Sequence, residues 1–299
     1  MNFYKNKKIV VTGGAGFIGS NLVEALVYLG ARVTVIDNLR TGKIENLATV
    51  ASEIAFIQGD IRDKELCIKG LTNADIVFHL AAQVSVPESM NNPDECFEIN
   101  VTGTFNLLEA ARKHTIKRFL FSSSCAVYGE KNEPCIETMS CAPTSPYAYS
   151  KLLAEQLCQQ YSRIFKVPTI CFRYFNVFGF RQDPSSEYAG VVAKFNDKML
   201  KNEPITIFGD GSQSRDFVPV SQIVQTNLEA AQLADTFCKG EPINVATGES
   251  TSILELFNDY KKITPWYTHK PEYAPARIGE VKQSQADCTR YRKLFDQLK

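Results

Sequence analysis

Val11-Thr12-Gly13-Gly14-Ala15-Gly16-Phe17-Ile18-Gly19-Ser20 is the stretch from which the rest of the chain can be read. Gly13, Gly16 and Gly19 stand in a G-x-x-G-x-x-G spacing, which lets a backbone turn tightly, approach a pyrophosphate and pack a helix against a strand. Upstream, Lys8-Ile9-Val10-Val11-Thr12 reads as a buried strand. Downstream, Ile18, Leu22, Ala25, Leu26 and Leu29 share one face of a helix that should end at Gly30. The N–H groups at such a helix start, here around Phe17 and Ile18, lack partners and face an anion, and the helix dipole adds to their pull.

A second strand, Arg32 to Ile36, runs into Asp37, about 20 residues past the glycines, where a carboxylate can accept both hydroxyls of an adenosine ribose. Together these features predict a dinucleotide site. The acid repels a 2′-phosphate, which favours NAD over NADP, while Arg40 lies close enough to reverse that preference.

A chain of 299 residues, 44% of them hydrophobic, can build one large α/β domain or two lobes. Its 33 basic and 33 acidic side chains cancel, so no net field draws it to nucleic acid or to an anionic membrane. Nine cysteines without a C-x-x-C pair read as reduced thiols. His79, His114 and His269 lack metal-ligand spacing, and no metal is expected. His79, inside a predicted strand, reads as a core histidine bonded to a neighbour. With no apolar run long enough for a bilayer and no secretory core segment near Met1, the expected location is the cytoplasm.

Apolar runs then alternate with helical periodicities, as in a doubly wound parallel α/β sheet. Five more strands are predicted: Ile54 to Gln58, Ile76 to Leu80, Arg118 to Ser122, Thr169 to Arg173 and Ile243 to Ala246. Phe97, Val101, Thr104, Leu108 and Ala111 form one helical stripe and Leu153, Leu157, Tyr161 and Ile164 another; both read as core. Ligands of such sheets bind beyond the carboxyl ends of the strands. Gly59-Asp60-Ile61, Ala81-Ala82-Gln83 and Ser122-Ser123-Ser124 should therefore border the cofactor. Asp60 can accept from an adenine amino group or serve the loop, and Ala81 and Ala82 are small enough to let a dinucleotide lie against backbone. Beyond Phe178, prolines interrupt shorter segments. The expected division is a cofactor domain over 1–177, to which a strand near 243–246 can return, and a smaller substrate lobe over 178–299.

Ser145-Pro146-Tyr147-Ala148-Tyr149-Ser150-Lys151 starts a helix, with Pro146 where its missing N–H is harmless. Tyr147 and Lys151 are four residues apart and project from one face. A nearby ammonium favours a phenolate, so the pair can supply a base, and Lys151 can also reach a ribose. Ser124, at a strand end, is the third member. Tyr149 and Tyr128 read as packing residues.

With these residues in view, the sequence resembles the extended short-chain dehydrogenase/reductases and, among them, the nucleotide-sugar 4-epimerases. The resemblance spans nearly the whole chain. It rests on T-G-G-A-G-F-I-G at Thr12, D-N-L at Asp37, G-D-I-R-D at Gly59, H-L-A-A at His79, N-V-T-G-T at Asn100, S-S-S at Ser122, S-P-Y-A-Y-S-K at Ser145 and R-Y-F-N-V-F-G at Arg173. It implies a Rossmann-type fold, and it adds Asn38, Ile61, Asn100, Ser122 and Tyr174 to the cofactor residues. F-G-D-G-S-Q-S-R-D-F at Phe208 and R-I-G-E-V at Arg277 are similar to the family's nucleotide-diphosphate site. By that likeness Arg215 and Arg277 clamp the phosphates, Asn176 bonds a sugar or phosphate oxygen, and Val191, Thr206 and Phe208 line a uracil slot. Family chains continue beyond Asp287-Cys288-Thr289-Arg290 with a turn and a helix, whereas this sequence stops at Lys299. They are often dimers joined through two long helices, here near 94–113 and 147–165.

The implied activity is 4-epimerisation of a UDP-sugar with bound NAD, through a 4-keto sugar. A 4,6-dehydratase would need an Asp-Glu pair after Ser124 and a decarboxylase a comparable acid; Cys125 and Ala126 stand there. UDP-glucose and UDP-glucuronate epimerases stay open, and a non-catalytic binding protein would lack Tyr147 or Lys151. Ser284 matches the family's gate at carbon 2 of the sugar, where serine leaves room for an acetamido group and tyrosine fills it. With F-R-Q-D-P at Phe180 and Gln182 as a polar partner, the chain most resembles UDP-N-acetylglucosamine 4-epimerases. The bland alternative is that Ser284 is only a small loop residue.

Overall fold

The computed structural model describes residues 2–185, 190–276 and 281–295. The first half of the chain forms β1 (Lys8–Thr12), α1 (Phe17–Tyr28), β2 (Arg32–Asp37), β3 (Ile54–Gln58), α2 (Lys64–Gly70), β4 (Ile76–His79), α3 (Val86–Asn91), α4 (Pro93–Phe97), α5 (Gly103–Lys113), β5 (Arg118–Ser124), α6 (Pro146–Phe165) and β6 (Thr169–Tyr174). A wide turn at Glu98–Thr102 carries α4 into α5. The six strands pair in parallel in the order β3-β2-β1-β4-β5-β6. Both faces of this sheet carry helices, and its central strands are correspondingly short apolar runs buried throughout, such as Ile76–His79.

The chain winds outward from β1 to β3 and then returns to place β4 on the other side of β1. This reversal opens a crevice at the carboxyl ends of β1 and β4. Gly13 stands there with φ +69°, and a Cβ on it would lie 2.6 Å from the Ala81 nitrogen at the end of β4. A Cβ on Gly19 would lie 2.1 Å from the Gly13 oxygen, so only glycine lets α1 close on the turn.

From Asn176 the chain builds β7 (Asn176–Phe178), α7 (Val191–Leu200), β8 (Thr206–Phe208), β9 (Ser214–Arg215), β10 (Phe217–Pro219), α8 (Val220–Ala230), β11 (Lys239–Val245), β12 (Thr251–Ser252), α9 (Ile253–Ile263), β13 (Glu272–Ala274), β14 (Gln283–Ser284) and α10 (Thr289–Phe295). These elements do two jobs. β11 pairs with β6 as the seventh strand of the main sheet, and Ile223 and Leu228 of α8 join the core that α1 covers. The remaining short strands form three small sheets: β7 with β10, β8 with β13, and β9 between β12 and β14.

One predicted stripe is only partly buried. In α6 the buried face is Ala148, Lys151, Ala154, Glu155, Cys158 and Tyr161, whereas Leu153 and Leu157 are half-buried and Ile164 is 59% exposed. Periodicity marks an apolar face without saying what covers it. The residue under the sheet is instead an ion pair: Glu155 accepts from Arg173 at 2.9 and 2.8 Å and from Ser123 Oγ at 2.5 Å, with both charged side chains almost fully buried.

His79 is neutral in this fold. Ala81 N–H donates to Thr12 Oγ1, which bonds His79 Nδ1 at 2.8 Å; His79 Nε2 bonds Thr104 Oγ1 at 2.9 Å, and Thr104 donates to the Asn100 carbonyl at 2.6 Å. Because the Thr104 proton is committed to Asn100, Nε2 carries the imidazole proton. Burial pushes the His79 pKa down to about 3.

Candidate active site

A cleft of about 1690 Å³ runs along the carboxyl ends of the sheet strands and under the small sheets. Its cofactor wall is largely main chain. Gly13, Gly16, Phe17, Ile18 and Gly19 line it, and α1 starts there without any side-chain cap, so its first N–H groups point into the cleft. Asp37 also lines it: Oδ2 accepts from Ala15 N at 2.9 Å and Oδ1 from Leu39 N at 2.9 Å, which fixes the carboxylate and leaves further lone pairs for ribose hydroxyls. Arg40 does not wait for a 2′-phosphate, since its guanidinium holds Glu88 at 2.5 Å and Glu95 at 2.6 Å.

Asn38, Asp60, Ile61, Ala81, Ala82, Ser122 and Tyr174 line the same cleft. Asp60 is committed to its own loop. Its hydrogen bonds to Arg62, helped by the Asn38 amide, pull its carboxyl down to about 2 against the cost of burial. Asn100 is placed differently. It lies behind the wall, where its amide accepts from Gln83 N at 2.8 Å, donates to Gln83 O at 2.9 Å and donates to Ser150 Oγ at 2.9 Å. It shapes the strand end and does not line the cleft.

Ser124, Tyr147 and Lys151 meet at the centre of the cleft. β5 runs two residues further than Ser122, so Ser124 ends the strand and bonds the Tyr147 phenol. Ser145 caps α6 and Pro146 fills its first turn, which sets Tyr147 and Lys151 one turn apart. Lys151 is 3% exposed, donates to the Ser122 carbonyl at 2.8 Å, and burial lowers its pKa to about 8. Burial pushes the Tyr147 phenol up to about 12, opposed by the Ser124 hydrogen bond. The Lys151 ammonium is bound to the Ser122 carbonyl, and in the bare cleft desolvation is the largest influence on the phenol.

Across the cleft lie Asn176, Gln182, Val191, Thr206, Phe208 and Arg215. Asn176 donates to the Asp216 carbonyl, and Gln182 Nε2 donates to the Val177 carbonyl at 3.3 Å. Ser284 pairs with Arg215 through β14 and β9, and its Oγ lies 3.9 Å from Cys125 Sγ, next to Ser124. Burial pushes that thiol up to about 11, which keeps Cys125 protonated at neutral pH. Arg277 lies outside the described residues. Among those residues, no group of three or more His, Cys, Asp or Glu could hold a metal ion, and no helix is long and apolar enough to cross a membrane.

Residues 9–246 match the profile described as the NAD dependent epimerase/dehydratase family. The chain belongs to that family. Its solved relatives include a UDP-N-acetylglucosamine 4-epimerase from Methanobrevibacter ruminantium in complex with UDP-N-acetylmuramic acid, 39% identical with a TM-score of 0.92 over 97% of this chain and 92% of that one. A UDP-glucose 4-epimerase from Thermotoga maritima with UDP-glucose is 40% identical, with a TM-score of 0.90 over 96% of this chain and 91% of the other. A UDP-glucuronic acid 4-epimerase mutant from Bacillus cereus, in complex with UDP-4-deoxy-4-fluoro-glucuronic acid and NAD, is 33% identical with a TM-score of 0.89 over 97% and 93%. This chain is thus an NAD-dependent epimerase of the nucleotide-sugar 4-epimerase family.

In this epimerase the glycine cradle, the uncapped start of α1 and the fixed Asp37 carboxylate fit a dinucleotide with two free ribose hydroxyls. When bound, NAD would supply a hydride acceptor and, later in the cycle, the donor. Two residues make side-chain contacts that their motifs do not announce. Gln83 borders the cleft, as its place at a strand end implies, and its amide nitrogen bonds the Ser85 carbonyl and Glu88. Asp216, fully buried, accepts from Thr247 N and Oγ1, Gly248 N and Ala286 N. It ties the loop after β11 and the end of β14 to Arg215, and no local periodicity marks it.

Proposed function

We propose that this epimerase interconverts UDP-N-acetylglucosamine and UDP-N-acetylgalactosamine. Tyr147 takes the proton from the carbon-4 hydroxyl as hydride leaves that carbon, and returns a proton to the same oxygen when the 4-keto sugar is reduced on its other face. Ser124 bonds that oxygen. Arg215 and Asn176 hold the nucleotide diphosphate, so that the hexose alone can turn. The observation that carries the sugar preference is the Oε1 atom of Gln182, which lies buried in the cleft wall without a partner. Its nitrogen faces the Val177 carbonyl, so the free atom is an acceptor, the complement of an acetamide N–H. Ser284, a small residue whose Oγ lies 3.9 Å from Cys125 Sγ, stands at the position that the family resemblance assigns to the gate at carbon 2 of the sugar. Ser284→Tyr tests it. The variant should lose N-acetylated substrates by at least 100-fold in kcat/KM and retain UDP-glucose turnover; unchanged turnover of acetylated sugars would overturn the assignment.

We also infer a homodimer formed through α5 and α6. Phe105, Tyr149, Ile164 and Phe165 are 39%, 49%, 59% and 46% exposed on these helices. Apolar side chains exposed along two neighbouring helices gain by burial against a second copy. Light scattering should report twice the chain mass of 33.4 kDa.

A further inference from the structure

Gln83 is 5% exposed and lines the cleft just beyond Ala81 and Ala82. Its side-chain nitrogen donates to the Ser85 carbonyl at 2.9 Å and to Glu88 Oε2 at 3.2 Å. Both partners are acceptors, which settles the orientation of the amide and leaves Oε1 as the atom without a hydrogen bond. That oxygen is buried and has no partner. An unpaired buried acceptor is costly, and in native proteins such an atom has a partner that the bare chain does not supply.

The atom is also held still. The Asn100 amide clamps both main-chain groups of Gln83, and the same amide reaches Ser150, whose hydroxyl donates to the Tyr147 carbonyl at 2.8 Å. The acceptor is therefore tied by two hydrogen-bonded residues to the helix that carries Tyr147 and Lys151. In a sheet of this topology the adenine half of the dinucleotide lies toward Asp37 on β2, and the nicotinamide half toward β4 and β5. Gln83 belongs to the second half.

We propose that Gln83 Oε1 is a binding residue for the occupants of the catalytic end of the cleft, accepting one hydrogen bond from an O–H or N–H group. The inference rests on the reading of the cleft as a site for NAD and a nucleotide sugar. Two sources carry that chemistry there: the nicotinamide half of the cofactor, through its carboxamide or ribose hydroxyls, and the hexose hydroxyls.

Gln83→Met keeps the length of the side chain and removes the acceptor. In the full-length protein, NAD affinity would be measured by calorimetry, followed by KM and kcat for UDP-N-acetylglucosamine and UDP-glucose at saturating NAD. A rise of about ten-fold in the NAD Kd assigns the donor to the cofactor; an unchanged Kd with a KM about ten-fold higher assigns it to the hexose. Both support the proposal. The rise in Tm produced by saturating NAD and UDP-sugar, taken from each protein's own unliganded Tm, keeps the test valid if the variant is less stable: it should shrink in Gln83→Met. Kd, KM and the ligand-induced rise all within two-fold of the parent would overturn the role of Gln83 while the parent's activity upheld the site. A parent that bound neither NAD nor UDP-sugar would overturn both.

Discussion

The cofactor wall of the cleft is built from main chain, and the substrate wall from side chains. On the first wall the glycine turn, the open start of α1 and the ends of parallel strands all come from one continuous sheet whose neighbours are fixed by β pairing. On the second, Asn176, Thr206 and Arg215 sit on short strands of three separate sheets, drawn together by contacts such as the Asp216 carboxylate. Main-chain sites follow from local sequence and tolerate change in the side chains around them. Side-chain sites can be retuned one residue at a time. Ser124, Tyr147 and Lys151, the proposed catalytic residues, stand at the seam, on β5 and α6.

A change at the seam should separate the walls most sharply. Tyr147→Phe removes the proton acceptor and leaves both walls in place, so kcat should fall by about three orders of magnitude while NAD binding stays within two-fold of the parent. Stopped assays and calorimetry on one preparation measure both. Turnover preserved in that variant would mean that another group takes the proton.

The foundation of the cofactor wall can be broken without touching the cleft. Glu155→Ala strands the Arg173 guanidinium in the core under Ser123, which should cost about 3–5 kcal/mol in urea unfolding. A loss below about 1 kcal/mol would show that water reaches the arginine.

A smaller effect tests the neutral histidine between the strands. His79 titrates near 3 when folded and near 6.5 when unfolded, so the unfolded chain binds the extra proton over that window. Its contribution is present above pH 6.5 and is lost as pH falls toward 3, at about 1.4 kcal/mol per unit. Between pH 7 and pH 5 the urea midpoint should drop by the equivalent of about 2 kcal/mol, and His79→Asn should flatten that slope. An unchanged slope in the variant would place the titration elsewhere.

The same contrast explains what could be read in advance. All seven strands of the main sheet announce themselves as short apolar runs, and errors are confined to their ends: β5 continues to Ser124 and β11 begins at Lys239, before a register shift ahead of Pro242. The glycine turn, Asp37 and the Tyr147–Lys151 pair are legible because each is defined within one turn or one strand end. Asn100 shows the limit. Its motif marks it as near the cofactor, but only the fold shows that it reaches Gln83 and Ser150, far from it in sequence. The contacts of Asp216 are illegible for the same reason, since they join distant segments, whereas the place of Gln83 beside the cofactor is legible and its unpaired oxygen is not. The half-exposed stripe of α6 misleads in another way, because an apolar face left at the surface has the same period as one turned to the core.

The most direct measurement of the central claim is product analysis with the unmodified protein. It would be incubated with UDP-N-acetylglucosamine and, separately, with UDP-glucose and UDP-glucuronate, and the epimers separated. The account predicts UDP-N-acetylgalactosamine as the product formed with the highest kcat/KM, without net oxidation or reduction. Faster conversion of UDP-glucose or UDP-glucuronate, or no epimer from any of the three, would contradict it.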